Sequence, residues 1–134
     1  MEKERWNERI FLLEAELKKI DARYLDLKPK DDGLKLTRKY DFELVKQEEN
    51  ILEIKLIDHV FFKPEGPFEI TIEYLGTFRS EVNLPEKINK NILKRIAYPL
   101  LMHSVTLIAN ITERFGMVPL IIPPLSEGDE DGND

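Results

Sequence analysis

The chain has 134 residues, a formal net charge of −6 and no cysteine. This length suits a single domain, and 42% hydrophobic with 34% charged residues is typical of a globular protein. The missing cysteines exclude disulfides, zinc–thiolate sites and thiol catalysis. The acidic charge argues against nucleic acid as the main partner, because phosphate binding needs a basic surface. The first residues lack the apolar core of a signal peptide, so we expect a cytoplasmic protein.

The first element carries apolar residues at alternating spacings of four and three, which predicts an amphipathic helix. These residues are Trp6, Ile10, Leu13, Leu17 and Ile20. We place this added N-terminal helix over residues 1–16. Beyond it, residues 20–24 also alternate as a strand would, so the end of the element stays open between helix and strand.

Three strand-like runs follow, over residues 34–46, 51–62 and 68–78. In the last two, apolar side chains alternate with polar ones, as expected for strands that cover a core with one face. The connections, residues 47–50 and 63–67, are short enough for hairpins. The pattern therefore predicts an antiparallel meander and not a series of βαβ units.

The last part of the chain predicts two helices. Pro85 stands where a helix can begin, and Pro99 interrupts the helical spacing, so we expect a break there. The second helix should run to about Phe115, with Gly116 as its left-handed C-terminal cap.

Together these elements predict an α+β fold, in which two C-terminal helices pack on one side of an antiparallel sheet (a meander), with an N-terminal amphipathic helix added. The single domain should cover residues 1–125. Residues 126–134 contain five acidic and no basic side chains. We expect them to form a disordered acidic tail.

The second predicted helix is apolar almost all the way round, with no formally charged residue from Ile96 to Thr112. Such a helix must be covered on every side, which points to self-association or exposed apolar surface. A membrane span is not expected, because 17 uncharged residues fall short of the ~20 that a spanning helix needs. The run also contains Pro99 and His103.

No constellation of residues indicates catalysis. Asp58 and His59 are adjacent, and neighbouring residues on a strand point to opposite faces, so they are poorly placed to act as a dyad. His103 lies in the apolar helix and has no carboxylate within one turn, which favours a packing role. We expect no enzyme activity, no cofactor and no metal.

Three sequence features resemble the SecB family of export chaperones, which hold unfolded polypeptides. The first is an aromatic-Leu-Gly-x-Phe step at residues 74–78, and the second is the aromatic-proline pair Tyr98-Pro99 before a long helix. The third is a Gly-x-x-Pro-Leu-x-x-Pro-Pro exit at residues 116–124. The resemblance covers roughly residues 17–125, and the order and spacing of the three features carry it.

The resemblance implies a four-stranded antiparallel sheet that carries two helices. It also implies a homotetramer, assembled as a dimer of dimers in which the long helices lie between sheets. The expected oligomer interface is Leu101, Val105, Ile108, Ile111, Thr112 and Phe115. The added N-terminal helix resembles that of SecB-like antitoxin chaperones.

The resemblance also implies a long apolar groove that binds unfolded or nascent polypeptides. The expected groove residues are Phe61, Phe62, Phe68, Val118, Leu120, Ile121, Ile122 and Leu125. Phe61, Phe62 and Ile121 are favoured, because adjacent apolar residues in extended backbone cannot both face one core.

In the export protein, an acidic residue on the last strand helps to dock the SecA motor. Thr71 stands at that position here, flanked by Glu69 and Glu73. These two glutamates are the candidates for motor docking, but the sequence favours client binding over docking.

Three functions follow from these patterns. The first is a holdase that binds unfolded chains, such as preproteins, in apolar grooves without ATP. The second is a dedicated chaperone or adaptor for one partner, such as an antitoxin. The third is an α+β cup that binds a small ligand, which would need polar groups converging inside it.

Overall fold

The computed structural model describes residues 9–25, 35–63, 66–117 and 119–122. These residues form four strands and one long helix. The elements are β1 (Ile10–Tyr24), β2 (Lys35–Glu48), β3 (Ile51–Lys63), β4 (Phe68–Ser80) and α1 (Lys90–Arg114). The strands form one antiparallel sheet in the order β1-β4-β3-β2. Strands β2, β3 and β4 follow one another as hairpins, whereas β1 pairs with the edge of β4 that β3 leaves open.

The predicted N-terminal helix is wrong, because Ile10–Tyr24 forms strand β1. The register of β1 against β4 shifts after Leu12 and again after Leu17. Each shift is a bulge that inserts one extra residue and restores the same facing afterwards. The helix-facing apolar side chains therefore fall at Ile10, Leu12, Ala15, Leu17 and Ile20. Apolar residues at alternating spacings of two and three resemble the apolar stripe of an amphipathic helix. The rest of the predicted helix, residues 1–8, lies outside the described residues.

The prediction of two C-terminal helices is also wrong, since α1 runs unbroken from Lys90 to Arg114 with Pro99 inside it. Helix α1 starts later than Pro85, at the cap residue Asn89, whose side chain accepts a hydrogen bond from the Ile92 amide at 2.9 Å. Pro99 lies on the exposed side of the helix. Water can reach the backbone there, so a missing N–H donor is tolerated.

The far end of α1 has the predicted glycine cap. Gly116 adopts a φ of 85°, which is the left-handed conformation that glycine reaches without steric cost. Its amide donates to the carbonyl oxygen of Glu113 at 3.0 Å. The cap turns the chain away from the helix axis, and residues 119–122 follow it.

The hydrophobic core lies between α1 and one face of the sheet. Alternate residues of β3 and β4 are fully buried on that face, as their sequence pattern predicts. The helix contributes the other half of the core, which includes Leu93, Ile96, Leu100, Leu101 and Ile108. In the part of the chain that the structure describes, the opposite face of the sheet carries no helix and holds most of the charged strand residues.

By length and composition, α1 could also span a bilayer, with a mean hydropathy of 1.2 over its most apolar window. In the fold, 44% of that window is buried inside the protein. The core helix of a globular protein satisfies the same criteria.

Helix α1 packs closely against Gly76 of β4. A Cβ atom there would lie 2.9 Å from Cε1 of Phe78 and 3.0 Å from Cδ1 of Leu100. We therefore expect Gly76→Ala to lower the free energy of unfolding by about 1–3 kcal/mol through overpacking. The matched control is Thr77→Ser on the opposite face, which should change it by less than about 0.5 kcal/mol. Urea titration of both variants tests this expectation, and equal stabilities would contradict it.

Candidate functional site

A pocket of about 250 Å³ lies at the end of the sheet where β3 leads into β4. Its lining residues are Leu25, Phe61, Phe62, Lys63, Gly66, Phe68 and Glu69. The Leu25 amide donates to the Pro67 carbonyl at 2.7 Å, which ties the end of β1 to the start of β4 beside the pocket. The pocket is thus apolar inside, with one basic and one acidic side chain at its margin.

Four aromatic rings connect this pocket to the end of α1. Phe62 meets Phe68 edge-on with ring centroids 5.1 Å apart, and Phe68 lies 6.1 Å from Phe115. Phe115 in turn lies 5.6 Å from Tyr24 of β1. Such pairs add to the stability that area burial provides. Phe68 is only 1% exposed, so it forms the back of the pocket and belongs mainly to the core.

Gly66 allows the Phe62 ring to pack over the turn. A Cβ atom at Gly66 would lie 2.5 Å from Cγ of Phe62, closer than real Cβ contacts allow. Any side chain at this position would displace the Phe62 ring and change the shape of the pocket. Gly66 therefore helps to set the shape of the pocket, although sequence analysis did not select it.

The segment after the helix is fixed by one buried hydroxyl. Thr112 Oγ1 donates to the Ile108 carbonyl at 3.0 Å and accepts from the Leu120 amide at 2.8 Å. Leu120 and Ile122 pack against the core, whereas Ile121 between them is 72% exposed. This alternation agrees with the expectation that an apolar pair in extended backbone faces two sides.

The predicted groove residues occupy two places. Phe61, Phe62 and Phe68 meet at the pocket, with Phe61 and Phe62 on opposite faces of β3. Residues 120–122 form a separate surface beyond the helix and do not line this pocket. Val118 and Leu125 lie outside the described residues, as does the predicted acidic tail, 126–134.

Most of the predicted oligomer interface is already buried within the protomer. Leu101, Val105, Ile108, Ile111 and Thr112 face the sheet, and Phe115 is half-buried against Phe68. The exposed side of α1 is formed by Pro99, Met102, His103, Thr106 and Asn110. A partner would therefore meet this second, uncharged side of the helix.

His103 is exposed and lies beside Tyr74, with ring centroids 5.9 Å apart. Burial raises the pKa of the Tyr74 hydroxyl, because removal from water disfavours the phenolate. Tyr74 thus stays neutral and acts as a packing residue under the helix.

The two candidate docking glutamates lie on the helix-free face of β4. The carboxylate of Glu69 lies 2.8 Å from Nε2 of His59 and accepts a hydrogen bond from Nη2 of Arg23 at 3.4 Å. Glu73 stands opposite Lys19 in the register with β1. Basic neighbours thus reduce the negative potential that a docking motor would meet here.

Sequence analysis missed a buried polar network between the sheet and the helix. Asp58 is 0% exposed and accepts hydrogen bonds from Arg38 Nε at 2.9 Å, Arg38 Nη2 at 2.6 Å and Ser104 Oγ at 2.7 Å. His59 points to the other face, as predicted. The available signal was the alternation of β3, which places Asp58 on the same face as Leu56 and Val60. In the described ranges, histidine and acidic side chains form no group of three that could hold a metal.

Neither a protein-family model nor a curated protein matches the sequence. The structure is similar to that of the Mycobacterium tuberculosis SecB-like chaperone Rv1957 in complex with a ChAD peptide from the Rv1956 HigA1 antitoxin. The TM-score is 0.71 and the sequence identity 13%, over 91% of this chain and 95% of that chain. A protein of unknown function from Streptococcus agalactiae matches with a TM-score of 0.58 and 12% identity, over 85% of this chain and 96% of that chain. The protein therefore has the fold of a SecB-like chaperone.

Proposed function

We propose that this protein is a chaperone that binds unfolded or extended polypeptide segments without ATP. The observation that carries this proposal is the apolar pocket at the end of the sheet, in a fold shared with a SecB-like chaperone that binds an antitoxin peptide. The proposed role is non-enzymatic and cytoplasmic, and needs neither nucleic acid nor membrane insertion.

The pocket would act by burying single apolar side chains of a client. Full burial of one such side chain contributes roughly 1.5–3 kcal/mol, which is too little for stable binding alone. Several contacts along one client, or several pockets in one assembly, would be needed for useful affinity. Among the described residues of the lining, Lys63 and Glu69 are the charged groups, which favours a side-chain anchor over a polar small ligand.

Exposed apolar surface supports an oligomer. Five of the exposed large hydrophobic residues lie on β1, and they are Phe11, Leu13, Leu17, Ile20 and Tyr24. The uncovered side of α1 carries no formal charge between Ile96 and Thr112. A second copy could cover both surfaces, since no strand among the described residues pairs with the outer edge of β1. We therefore retain the homotetramer, a dimer of dimers, as the proposed assembly.

A dedicated chaperone for one partner is the second candidate. The supporting observation is that the Mycobacterium tuberculosis SecB-like chaperone is in complex with a peptide from an antitoxin. This candidate predicts tight binding of one partner and little affinity for generic unfolded chains. A SecA-type motor receives less support, because Glu69 already has basic partners.

The test is suppression of aggregation of a denatured client by the full chain, with no nucleotide added. Ile121→Ser removes an exposed apolar side chain, so the Kd for the client should rise about threefold to tenfold, with stability unchanged. The matched control is Val45→Ser, which removes a 51% exposed apolar side chain on the far edge strand β2 and should leave binding unchanged.

Failure to suppress aggregation at several-fold molar excess would contradict the general holdase. Tight binding of a single partner, despite that failure, would support the dedicated chaperone. Equal effects of Ile121→Ser and Val45→Ser would show that residues 120–122 do not form a client surface.

A further inference from the structure

Among the residues that the structure describes, the helix-free face of the sheet is basic at the end that holds the pocket. Register places Arg23, Lys35, Lys39 and Lys63 at this end, against the carboxylates of Asp21 and Glu69. Farther along the strands acidic side chains predominate, among them Glu14, Glu16, Glu43, Glu53 and Glu73. The protein is acidic overall, so this basic end is a local departure from its net charge.

Phe61 lies at the centre of the basic end and also lines the pocket. Its ring stacks on His59 with centroids 4.4 Å apart. The ammonium nitrogens of Lys39 and Lys63 lie 6.0 Å and 5.9 Å from the centroid of the Phe61 ring. Two cations on one ring mark a surface that attracts both anions and apolar groups.

The two lysines have no carboxylate partner among the residues that the structure describes. Glu69, an acidic residue that lines the pocket, is already shared between His59 and Arg23. Lys35 stands directly opposite Lys63 in the strand pairing, so like charges face each other there. An anion bound at this end would relieve that repulsion.

We propose that the pocket selects extended client segments in which an apolar anchor is flanked by acidic residues. The anchor enters the pocket, and the acidic side chains lie over Phe61 beside Lys39 and Lys63. Lys63 lines the pocket and Lys39 lies on the neighbouring strand, so the client must span only a short distance from the anchor to the lysines. An extended chain rises about 3.3 Å per residue, so the acids should lie within about four residues of the anchor. This inference rests on the proposed function, because it names the client class of the same pocket.

The test uses two fluorescein-labelled peptides with the same apolar anchor, one flanked by glutamates and the other by lysines. Fluorescence anisotropy with the full chain should give a Kd about threefold to tenfold lower for the glutamate peptide at low salt. The difference is modest because each exposed ion pair contributes little to the binding free energy. The difference should shrink at high salt, because ions screen exposed charges.

Charge reversal then locates the contact. Lys39→Glu combined with Lys63→Glu should reverse the preference, and both lysines are exposed, so the fold should tolerate the change. The matched control is Lys19→Glu with Lys55→Glu on the same face, farther from the pocket, which should leave the preference unchanged.

The outcomes separate the two proposals. Equal binding of both peptides would overturn the acidic preference while leaving the chaperone proposal intact, whereas no binding of either would overturn both. The acidic residues at 127–134 of this chain are the other possible occupant. If the full chain shows no preference for the glutamate peptide, and the preference appears only when these five acids are replaced by amides, the tail occupies the basic end and the client proposal is overturned.

Discussion

Asp58→Ala is expected to lower the free energy of unfolding by about 3–5 kcal/mol, since it leaves a buried guanidinium without its counter-ion. The Arg38 side chain is only 10% exposed, and Asp58 is wholly buried. In the described residues, Nη1 of Arg38 already lacks a hydrogen-bond partner. The substitution would leave Nε and Nη2 without their acceptors as well. Chemical denaturation at a fixed protomer concentration measures the effect.

Three further variants separate the charge from the hydrogen bonds. Ser104→Ala removes one neutral donor to Asp58 and should cost about 1–2 kcal/mol. Arg38→Met combined with Asp58→Leu removes both charges and should recover much of the loss. Asp41→Asn breaks an exposed contact with Lys90 and should cost less than about 1 kcal/mol. A loss for Asp58→Ala no larger than that for Asp41→Asn would contradict the account of the network.

Phe68→Ala should be similarly destabilising, by about 3–5 kcal/mol, because it opens a cavity in the core. Phe68 contacts the rings of both Phe62 and Phe115, so its loss would loosen the sheet and the end of α1 together. Thermal or urea unfolding measures the loss of stability.

The matched control is Phe61→Ala, on the opposite face of the sheet. Phe61 is partly exposed, so its loss should cost no more than about 1 kcal/mol, while client binding should weaken. If Phe68→Ala leaves stability intact but abolishes binding, Phe68 is a contact residue and its assignment to the core is wrong.

The sequence predicted the strands well where alternation is regular. Strands β3 and β4 bury every second residue on the helix face, and their apolar pattern indicates this directly. Strand β1 was missed because its two bulges shift the alternation after Leu12 and Leu17. The helix break predicted at Pro99 does not occur, because a proline on a solvated helix face reduces helix stability less than a proline that faces the core.

The candidate site was predictable only in part. The aromatic residues Phe61 and Phe62 were selected because adjacent apolar residues in a strand must face two ways. Leu25, Lys63 and Gly66 were missed, since no local pattern reveals that the end of β1 meets the β3–β4 turn. The partners of Asp58 were likewise hidden, because 20 and 46 residues separate it from Arg38 and Ser104.

The strand order β1-β4-β3-β2 has a consequence during synthesis on the ribosome. The hairpins of β2, β3 and β4 close through neighbouring segments, whereas β1 pairs with a strand centred some 57 residues later, as at Leu17 and Tyr74. Non-local pairing of this kind forms slowly, because a long loop must close first. The apolar N-terminal segment therefore waits without its strand partner until β4 has emerged. During that interval, the nascent protein exposes an apolar segment, as do the unfolded clients that it is proposed to bind.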